Sequence, residues 1–343
     1  CNQWDPVFPA TPITTYDELR LIPSPPPPVV PSPEECFGSV TPTITASGTG
    51  GTIDWYSDPD QTTNVHTGNV YTHGETAVGV YSWWLTETRS TGGPFACTSD
   101  TSRSTLTIYP LPEIDKPVSN DEICEGETAS VEVDNTQIGV EYYLRDDSDD
   151  SVEDGPVDGD GGTITFNVAP TSTTIYNVLA KYKSGPLCED ELTDKSTVTV
   201  NPLANISDHG TDQSRCEGDN TTFTVTASGP IISYLWFYST DNGSTYNPVP
   251  DDATFDDVTT DQLSISNIPL SLDDALFQCR IRTTGNCDIL TNPKRLTVNP
   301  LPINRNIIAM DEYLCYNTGT TIRIQNAEDG ITYTLVDDQG GAP

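Results

Sequence analysis

Short runs in which apolar and polar residues alternate recur along the whole chain, and they are rich in Val, Ile, Thr and Tyr. A period of two residues is typical of half-buried β-strands. Residues 223–229 (FTVTASG) and 51–58 (GTIDWYSD) are two such segments. The helical period is nearly absent, so the pattern predicts an all-β protein built from short strands.

Proline follows directly after the last strand of each predicted unit. The recurring segments are residues 19–25 (LRLIPSP), 106–112 (LTIYPLP), 198–203 (VTVNPL) and 296–302 (LTVNPLP). Because proline has no backbone N–H, it cannot continue a central ladder, so each segment is expected to end one domain and to lead into the next. The spacing of roughly 90 to 100 residues is the length of one immunoglobulin-like β-sandwich.

The prolines at 23, 110, 202 and 300 therefore predict a tandem array of immunoglobulin-like β-sandwiches joined end to end by short hinges, a stiff rod. The predicted segments are the tail of a preceding repeat (1–23), a first, second and third full repeat (24–110, 111–202 and 203–300), and the first half of a fourth repeat (301–343). The second and fourth repeats are close kin, because Cys124, Gly139, Tyr142 and Leu144 recur without a gap as Cys315, Gly330, Tyr333 and Leu335.

Aromatic residues mark the expected cores. Trp55 and Trp236 stand where an immunoglobulin-like sandwich has its buried strand-C tryptophan. Phe277 and Cys279 follow the spacing of the strand-F signature, with Phe277 in the place of its tyrosine. Val225 occupies the place of the strand-B cysteine, so the usual bond between the two sheets is not expected. We predict Trp55, Trp236 and Phe277 as core residues and Cys279 as an unpaired cysteine.

Nine cysteines without a Cys-x-x-Cys pair predict structural disulfides and an oxidising compartment. Those near the start of each repeat, the early cysteines, are Cys36, Cys124, Cys216 and Cys315. Those about 12 residues before the last strand, the late cysteines, are Cys97, Cys188 and Cys287. Cys1, Cys279 and Cys315 are expected to be unpaired or to have partners outside this sequence.

Two pairing schemes are open. The simpler scheme is intradomain and joins Cys36 to Cys97, Cys124 to Cys188 and Cys216 to Cys287. However, the turn before strand B and the loop before strand G lie at opposite ends of such a sandwich, and a disulfide needs Cα atoms within about 7 Å. In an end-to-end array, one domain's bottom meets the next domain's top. The second scheme is therefore interdomain and joins Cys36 to Cys188 and Cys124 to Cys287.

Charge excludes several partners. The 51 acidic and 15 basic residues give a net charge of −36, which repels nucleic acids and anionic lipids. No apolar run reaches the roughly 20 residues of a membrane span. The sequence starts within the repeat pattern and without Met, so we expect it to be an internal part of a longer protein.

The only candidate cofactor is Ca²⁺. Carboxylates at alternating positions of an acidic loop supply the oxygen ligands that Ca²⁺ prefers, although the terminal Glu of an EF-hand is missing. The candidate ligands are Asp146, Asp147, Asp149, Asp150, Asp158 and Asp160. The alternative is a solvated acidic loop without a metal.

Catalytic motifs are lacking. The sequence has no nucleophile elbow, phosphate loop or zinc motif, so we expect no enzymatic activity. Trp83 and Trp84 are adjacent in a predicted strand, so one ring should point outward. That ring could stack on a sugar, or it could pack under a loop.

The chain resembles the immunoglobulin-like repeats of giant secreted Bacteroidota surface proteins, which are associated with gliding-motility adhesins and a C-terminal sorting domain. Its matching features are the Cys-Glu-Gly at 124–126 and 216–218, the strand at 51–58, the late cysteines and the Val-Asn-Pro-Leu hinges. The resemblance implies display on the bacterial cell surface and a role in adhesion or as a spacer.

The leading functional interpretation is a structural stalk of a bacterial surface adhesin or extracellular appendage. Its partners would be the neighbouring repeats of the same long chain, with surface glycans or other cells bound by distal modules. One alternative is a carbohydrate-binding or accessory module of a secreted polysaccharide-degrading enzyme. Another is a self-assembling filament subunit, in which another chain completes the half repeat after residue 300.

Overall fold

A computed structural model describes residues 23–90, 95–311, 313, 315 and 317–336. Within these residues, the regular structure consists of 29 strands and two short 3-10 turns, Leu270–Leu272 and Thr284–Asn286. The predicted all-β fold class is confirmed.

The first sandwich follows the alternating pattern of residues 34–109. Its strands are β1 (Glu34–Cys36), β2 (Thr43–Thr45), β3 (Thr52–Tyr56), β4 (Asn64–Thr67), β5 (Val70–Thr72), β6 (Gly79–Ser90), β7 (Ala96–Thr98) and β8 (Ser102–Tyr109). The larger sheet has the order β1-β8-β6-β3-β4, with β7 on β6, and β2 pairs with β5 in a smaller sheet. Trp55 on β3 is buried between the sheets, and its indole N–H donates to the carbonyl of Gly68 at 2.8 Å.

The second sandwich repeats this plan. Its strands are β9 (Asp121–Cys124), β10 (Ala129–Val133), β11 (Val140–Asp146), β12 (Val152–Asp158), β13 (Ile164–Val168), β14 (Thr174–Tyr182), β15 (Glu189–Glu191) and β16 (Ser196–Asn201). The larger sheet has the order β12-β11-β14-β16-β9, with β15 on β14, and β10 pairs with β13. Tyr142 and Phe166 are fully buried in its core.

The third sandwich is the largest. Its strands are β17 (Asn205–Asp208), β18 (Gln213–Cys216), β19 (Thr221–Thr224), β20 (Thr226–Ser228), β21 (Ile231–Ser239), β22 (Asn247–Pro248), β23 (Phe255–Asp256), β24 (Gln262–Ile265), β25 (Ala275–Thr283), β26 (Asp288–Leu290) and β27 (Lys294–Asn299). The larger sheet has the order β18-β27-β25-β21-β22, with β26 on β25. The order β19-β24-β23 forms the opposite sheet, and β17 pairs with β20.

The core of the third sandwich contains the residues that the sequence singled out. Trp236 and Phe277 are buried there, and Phe223 stacks on Phe277 with ring centroids 5.0 Å apart. Val225 and Cys279 belong to the same cluster. After the third sandwich, β28 (Ile307–Ala309) and β29 (Ile322–Ile324) form an antiparallel pair.

The described chain divides into two compact units. One contains the first two sandwiches, apart from Ile123–Glu125 and the last residues of β16. The other contains Ile123–Glu125 together with the chain from Val200 onward. Cys124 therefore falls in the same unit as the third sandwich, to which it is bonded through Cys287.

A buried carboxylate shapes the loop before β3. Glu87 on β6 is fully buried and accepts hydrogen bonds from the backbone N–H groups of Thr49 (2.8 Å) and Gly51 (2.6 Å). A Cβ at Gly51 would fall on this carboxylate, which explains the glycine. Burial acts to raise the pKa of Glu87, but the hydrogen bonds from Thr49 and Gly51 outweigh it, and the pKa lies below its ordinary value.

Glu87→Gln should lower the free energy of unfolding by about 1–3 kcal/mol, because the amide cannot replace the charged hydrogen bonds. Since folding lowers the pKa, the unfolded chain binds more protons. The contribution of Glu87 is therefore present above the unfolded value of 4.5 and is lost as pH falls through the lower folded value. Urea unfolding across this pH range, followed by tryptophan fluorescence, measures both effects.

Glu132→Gln is the matched control, because Glu132 is exposed on β10. It should leave both the stability and its pH dependence unchanged. If Glu87→Gln gave the same curve as the unsubstituted chain at every pH, the structural role of Glu87 would be wrong.

Candidate functional site

The early cysteines end a strand that lies beside the last strand of the same repeat. β1 runs parallel to β8, so that Cys36 pairs with Tyr109. β18 runs parallel to β27 in the same way, so that Cys216 pairs with Asn299. Tyr109 and Asn299 are the residues before the hinge prolines. The parallel pairing thus brings an early cysteine to the point where the chain leaves the sandwich.

A tight turn follows each early cysteine. The residue after the cysteine donates its N–H to the last strand at 2.9 Å in all three sandwiches, from Phe37 to Tyr109, Glu125 to Asn201 and Glu217 to Asn299. The next residue has positive φ and is Gly38, Gly126 or Gly218, with Asn317 in the fourth repeat. Turns of this kind require glycine or asparagine at that position, which explains the recurring Cys-x-Gly.

The late cysteines lie in, or directly before, the short strand that pairs with the penultimate long strand. Cys188 directly precedes β15 and accepts the N–H of Tyr182 at 3.0 Å. Cys287 directly precedes β26 and accepts the N–H of Thr283 at 2.8 Å. Both cysteines are buried. The late cysteines therefore lie at the turn into the last strand, at the opposite end of the sandwich from the early cysteines.

Two disulfides join cysteines that both lie in the described residues. Cys36 bonds to Cys188, with Cα atoms 5.5 Å apart, and Cys124 bonds to Cys287, with Cα atoms 5.6 Å apart. In each case the early cysteine of one repeat bonds to the late cysteine of the next. These four cysteines are therefore paired between domains, as in the second scheme.

The intradomain scheme is wrong. Cys36 does not bond to Cys97, Cys124 does not bond to Cys188, and Cys216 does not bond to Cys287. The early and the late cysteine of one sandwich lie at opposite ends of it, too far apart to form a disulfide. Cys97 is also disulfide-bonded. Cys1 lies outside the described residues.

Hydrogen bonds also hold the segment between β16 and β17, in addition to the Cys124–Cys287 disulfide. The hydroxyl of Thr283 donates to the carbonyl of Pro202 at 2.8 Å, and the N–H of Leu203 donates to the Glu125 carboxylate at 3.4 Å. Gly285 has a φ of 68°, and a Cβ there would clash with the side chain of Asn201. The hinge is therefore held by polar contacts and close packing as well as by the Cys124–Cys287 bond.

The two disulfide loops overlap along the chain. The backbone between Cys36 and Cys287 is about 250 residues long and could extend to roughly 850 Å. With both bonds closed, the shortest covalent route crosses from Cys36 to Cys188, runs back along the backbone to Cys124 and crosses to Cys287, through about 64 residues and roughly 220 Å. Loops of 152 and 163 residues also restrict the unfolded chain, by about 5 kcal/mol each in the chain-entropy model.

Three described cysteines have free thiols, and their environments differ. Cys216 and Cys315 are exposed, whereas Cys279 is fully buried. Burial raises the pKa of the Cys279 thiol to about 12. Cys279 therefore acts as a small apolar core residue.

The carboxylates of the acidic loop have polar partners within the protein, and Asp147 and Asp150 both accept hydrogen bonds from the side-chain amide of Asn177. Among the described residues, no three His, Cys, Asp or Glu side chains are placed to hold a metal ion. Asp146, Asp149 and Asp160 each accept a hydrogen bond from a residue two positions later. The other three form ion pairs, namely Asp147 with Lys195, Asp150 with Arg145 and Asp158 with Lys183.

The paired tryptophans point to opposite sides of β6. Trp83 is buried in the first core, whereas Trp84 is half-buried, and the guanidinium of Arg103 lies 5.6 Å from its ring centroid. The Arg103 guanidinium therefore lies over one face of the Trp84 ring. In the part of the chain that is described, no helix is long and apolar enough to span a membrane.

Comparison with family models and with curated proteins gives no match. The titin I-band fragment I67–I69 is similar in structure, with 11% identity and a TM-score of 0.38, over 81% of this chain and 100% of that chain. Extracellular domains 3–5 of Drosophila OTK give 13% identity and a TM-score of 0.33, over 85% and 100%. Sidekick-1 immunoglobulin domains 1–5 give 12% and 0.31, over 82% and 61%.

The fold assignment rests on the sheets themselves, because these TM-scores are low. Each of the three sandwiches places its first large-sheet strand beside its last and covers that sheet with a smaller one. The chain is a tandem array of immunoglobulin-like β-sandwiches, as predicted.

Some residues of the junction were not predicted from sequence. Thr283 and Gly285 hold the hinge from the loop before Cys287, and Glu125 holds it from the turn after Cys124. The sequence shows the glutamate as part of the recurring Cys-Glu-Gly motif. The sequence does not show that this glutamate accepts a hydrogen bond from the N–H of Leu203.

Thiol labelling should separate the free cysteines. A maleimide at neutral pH should modify Cys216 and Cys315 in the folded chain, whereas Cys279 should react only after unfolding, because its thiolate is disfavoured and inaccessible. Peptide mapping after labelling identifies each site. A Cys279→Ser variant is the control and should keep the same folded-state pattern. Rapid labelling of Cys279 would contradict the buried position.

Proposed function

We propose that this chain is a load-bearing, non-enzymatic segment of an extracellular protein, in which disulfides link each immunoglobulin-like repeat to the next. The observation that carries the proposal is the overlap of the Cys36–Cys188 and Cys124–Cys287 loops. Under tension applied at the ends, this overlap would keep most of the backbone between the outer cysteines from extending, even if the sandwiches unfolded.

The more specific proposal is a stalk of a bacterial surface adhesin or appendage that carries a distal binding module away from the cell. The resemblance to Bacteroidota repeats of the gliding-motility type supports it. So does the need for an oxidising environment, in which disulfides persist. The net charge of −36 would keep a long repetitive chain soluble and hold neighbouring copies apart.

Stretching single molecules of the full chain from its two ends tests the load-bearing role. In the oxidised chain, complete unfolding should let Cys36 and Cys287 separate by at most about 220 Å. In the variant with Cys36→Ser and Cys124→Ser, the same two positions should separate by up to roughly 850 Å, which is nearly fourfold more. The same increase should follow when a reductant is added to the unsubstituted chain.

Cys216→Ser is the matched control, because it removes an early cysteine that has a free thiol. Its extension should equal that of the unsubstituted chain. Equal extensions for the oxidised chain and the double variant would show that the disulfides carry no load, and the proposal would fail.

A further inference from the structure

The fourth repeat presents an apolar groove. The described residues between 301 and 336 contain two strands, β28 and β29, and an irregular segment that includes Tyr333 and Leu335. They enclose a groove of about 500 Å³, whose apolar lining is Ile303, Ile307, Ile322, Ile324, Tyr333 and Leu335. Arg305 also lines it, and its Nε atom is buried without a hydrogen-bond partner.

The second repeat shows what this groove corresponds to. Tyr142 accepts the N–H of the residue five positions earlier, and Tyr333 accepts the N–H of Glu328 in the same way. With these residues aligned, Val131, Val140 and Leu144 match Ile322, Ile331 and Leu335 without a gap. The first three are fully buried, whereas their matches are 42%, 37% and 52% exposed. The fourth repeat thus exposes positions that form the core of the second.

In the second repeat, strands β13 and β14 pair with the strands that carry the equivalent buried residues. β13 pairs with β10 so that Phe166 lies opposite Val131. β14 pairs with β11 so that Val178 lies opposite Leu144. Both covering strands alternate buried apolar with other residues. The chemistry that fits the groove is therefore the second half of an immunoglobulin-like repeat, like residues 153–202.

Cys216 gives an independent indication of the same occupant. It has the parallel pairing, the turn hydrogen bond and the positive-φ glycine that Cys36 has, yet its thiol is free and exposed. Cys36 and Cys124 each bond to a late cysteine of the next repeat. Late cysteines belong to the second half of a repeat, which is the half that would fill the groove.

We propose that the groove and Cys216 together form an acceptor for the second half of an immunoglobulin-like repeat, whose late cysteine bonds to Cys216. In that step, the two thiols form one S–S bond and give up two protons and two electrons. A small-molecule disulfide takes up the electrons and is reduced to two thiols. The proposal rests on the proposed function, because it adds a further link to the same disulfide array.

A fusion protein tests the proposal directly. A copy of residues 153–202 is appended after Pro343, which continues the alignment of the fourth repeat with the second without a gap. After incubation with oxidised glutathione, peptide mapping under non-reducing conditions should find Cys216 bonded to the cysteine of the appended copy. Hydrogen exchange at residues 320–336 should slow by about tenfold or more, because the groove becomes a core.

The matched control replaces the cysteine of the appended copy by serine. It should keep the slowed exchange but leave Cys216 free, which separates strand docking from covalent linkage. In the fusion, a free Cys216, or one bonded to Cys315, would overturn the proposal. So would fast exchange throughout the appended copy while the three sandwiches stay protected, because the groove would then have rejected its occupant.

The unfused chain tests for a different occupant. If sedimentation and non-reducing electrophoresis show a dimer linked through Cys216, the groove receives a second copy, and the proposal is wrong. A monomer with a free Cys216 thiol is the expected result. Neither outcome depends on Cys36–Cys188 or Cys124–Cys287, so failure here is distinguishable from failure of the load-bearing role.

Discussion

The parallel pairing of the first and last large-sheet strands is the constraint on which the junctions depend. Because β1 runs beside β8 and β18 beside β27, the early cysteine comes to rest next to the residue that precedes the hinge proline. A turn with positive φ then closes the strand end, and the glycine or asparagine that the turn needs recurs in every repeat. An antiparallel arrangement would have placed the same cysteine at the far end of the sandwich.

The junction chemistry follows from this placement. A cysteine at the exit of one sandwich can bond only to a group at the entrance of the next, and the late cysteine directly before β15 or β26 is such a group. Since each repeat supplies one cysteine at its exit and one at its entrance, successive loops overlap. Overlap shortens the covalent route through the array, which separate disulfides within each domain would not do.

The cores do not need disulfides. Val225 and Cys279 occupy the places of the usual cystine between the two sheets, and both belong to the buried cluster of the third core. Trp55 and Trp236 are each buried with the indole N–H bonded to a loop carbonyl. Packing and hydrogen bonding hold the core of the third sandwich together, and the two described disulfides join different sandwiches.

The sequence by itself determined the strand content, the period of the repeats, the buried tryptophans and the kinship of the second and fourth repeats. These follow from local patterns, because alternation, proline and glycine act over a few residues. Only the tertiary structure decided which cysteines bond. Cys36 and Cys188 are 152 residues apart, and no local pattern encodes which ends of two sandwiches meet. The ion-pair partners of the acidic loop were hidden for the same reason, because Lys195 and Lys183, which pair with Asp147 and Asp158, lie 48 and 25 residues further along the chain.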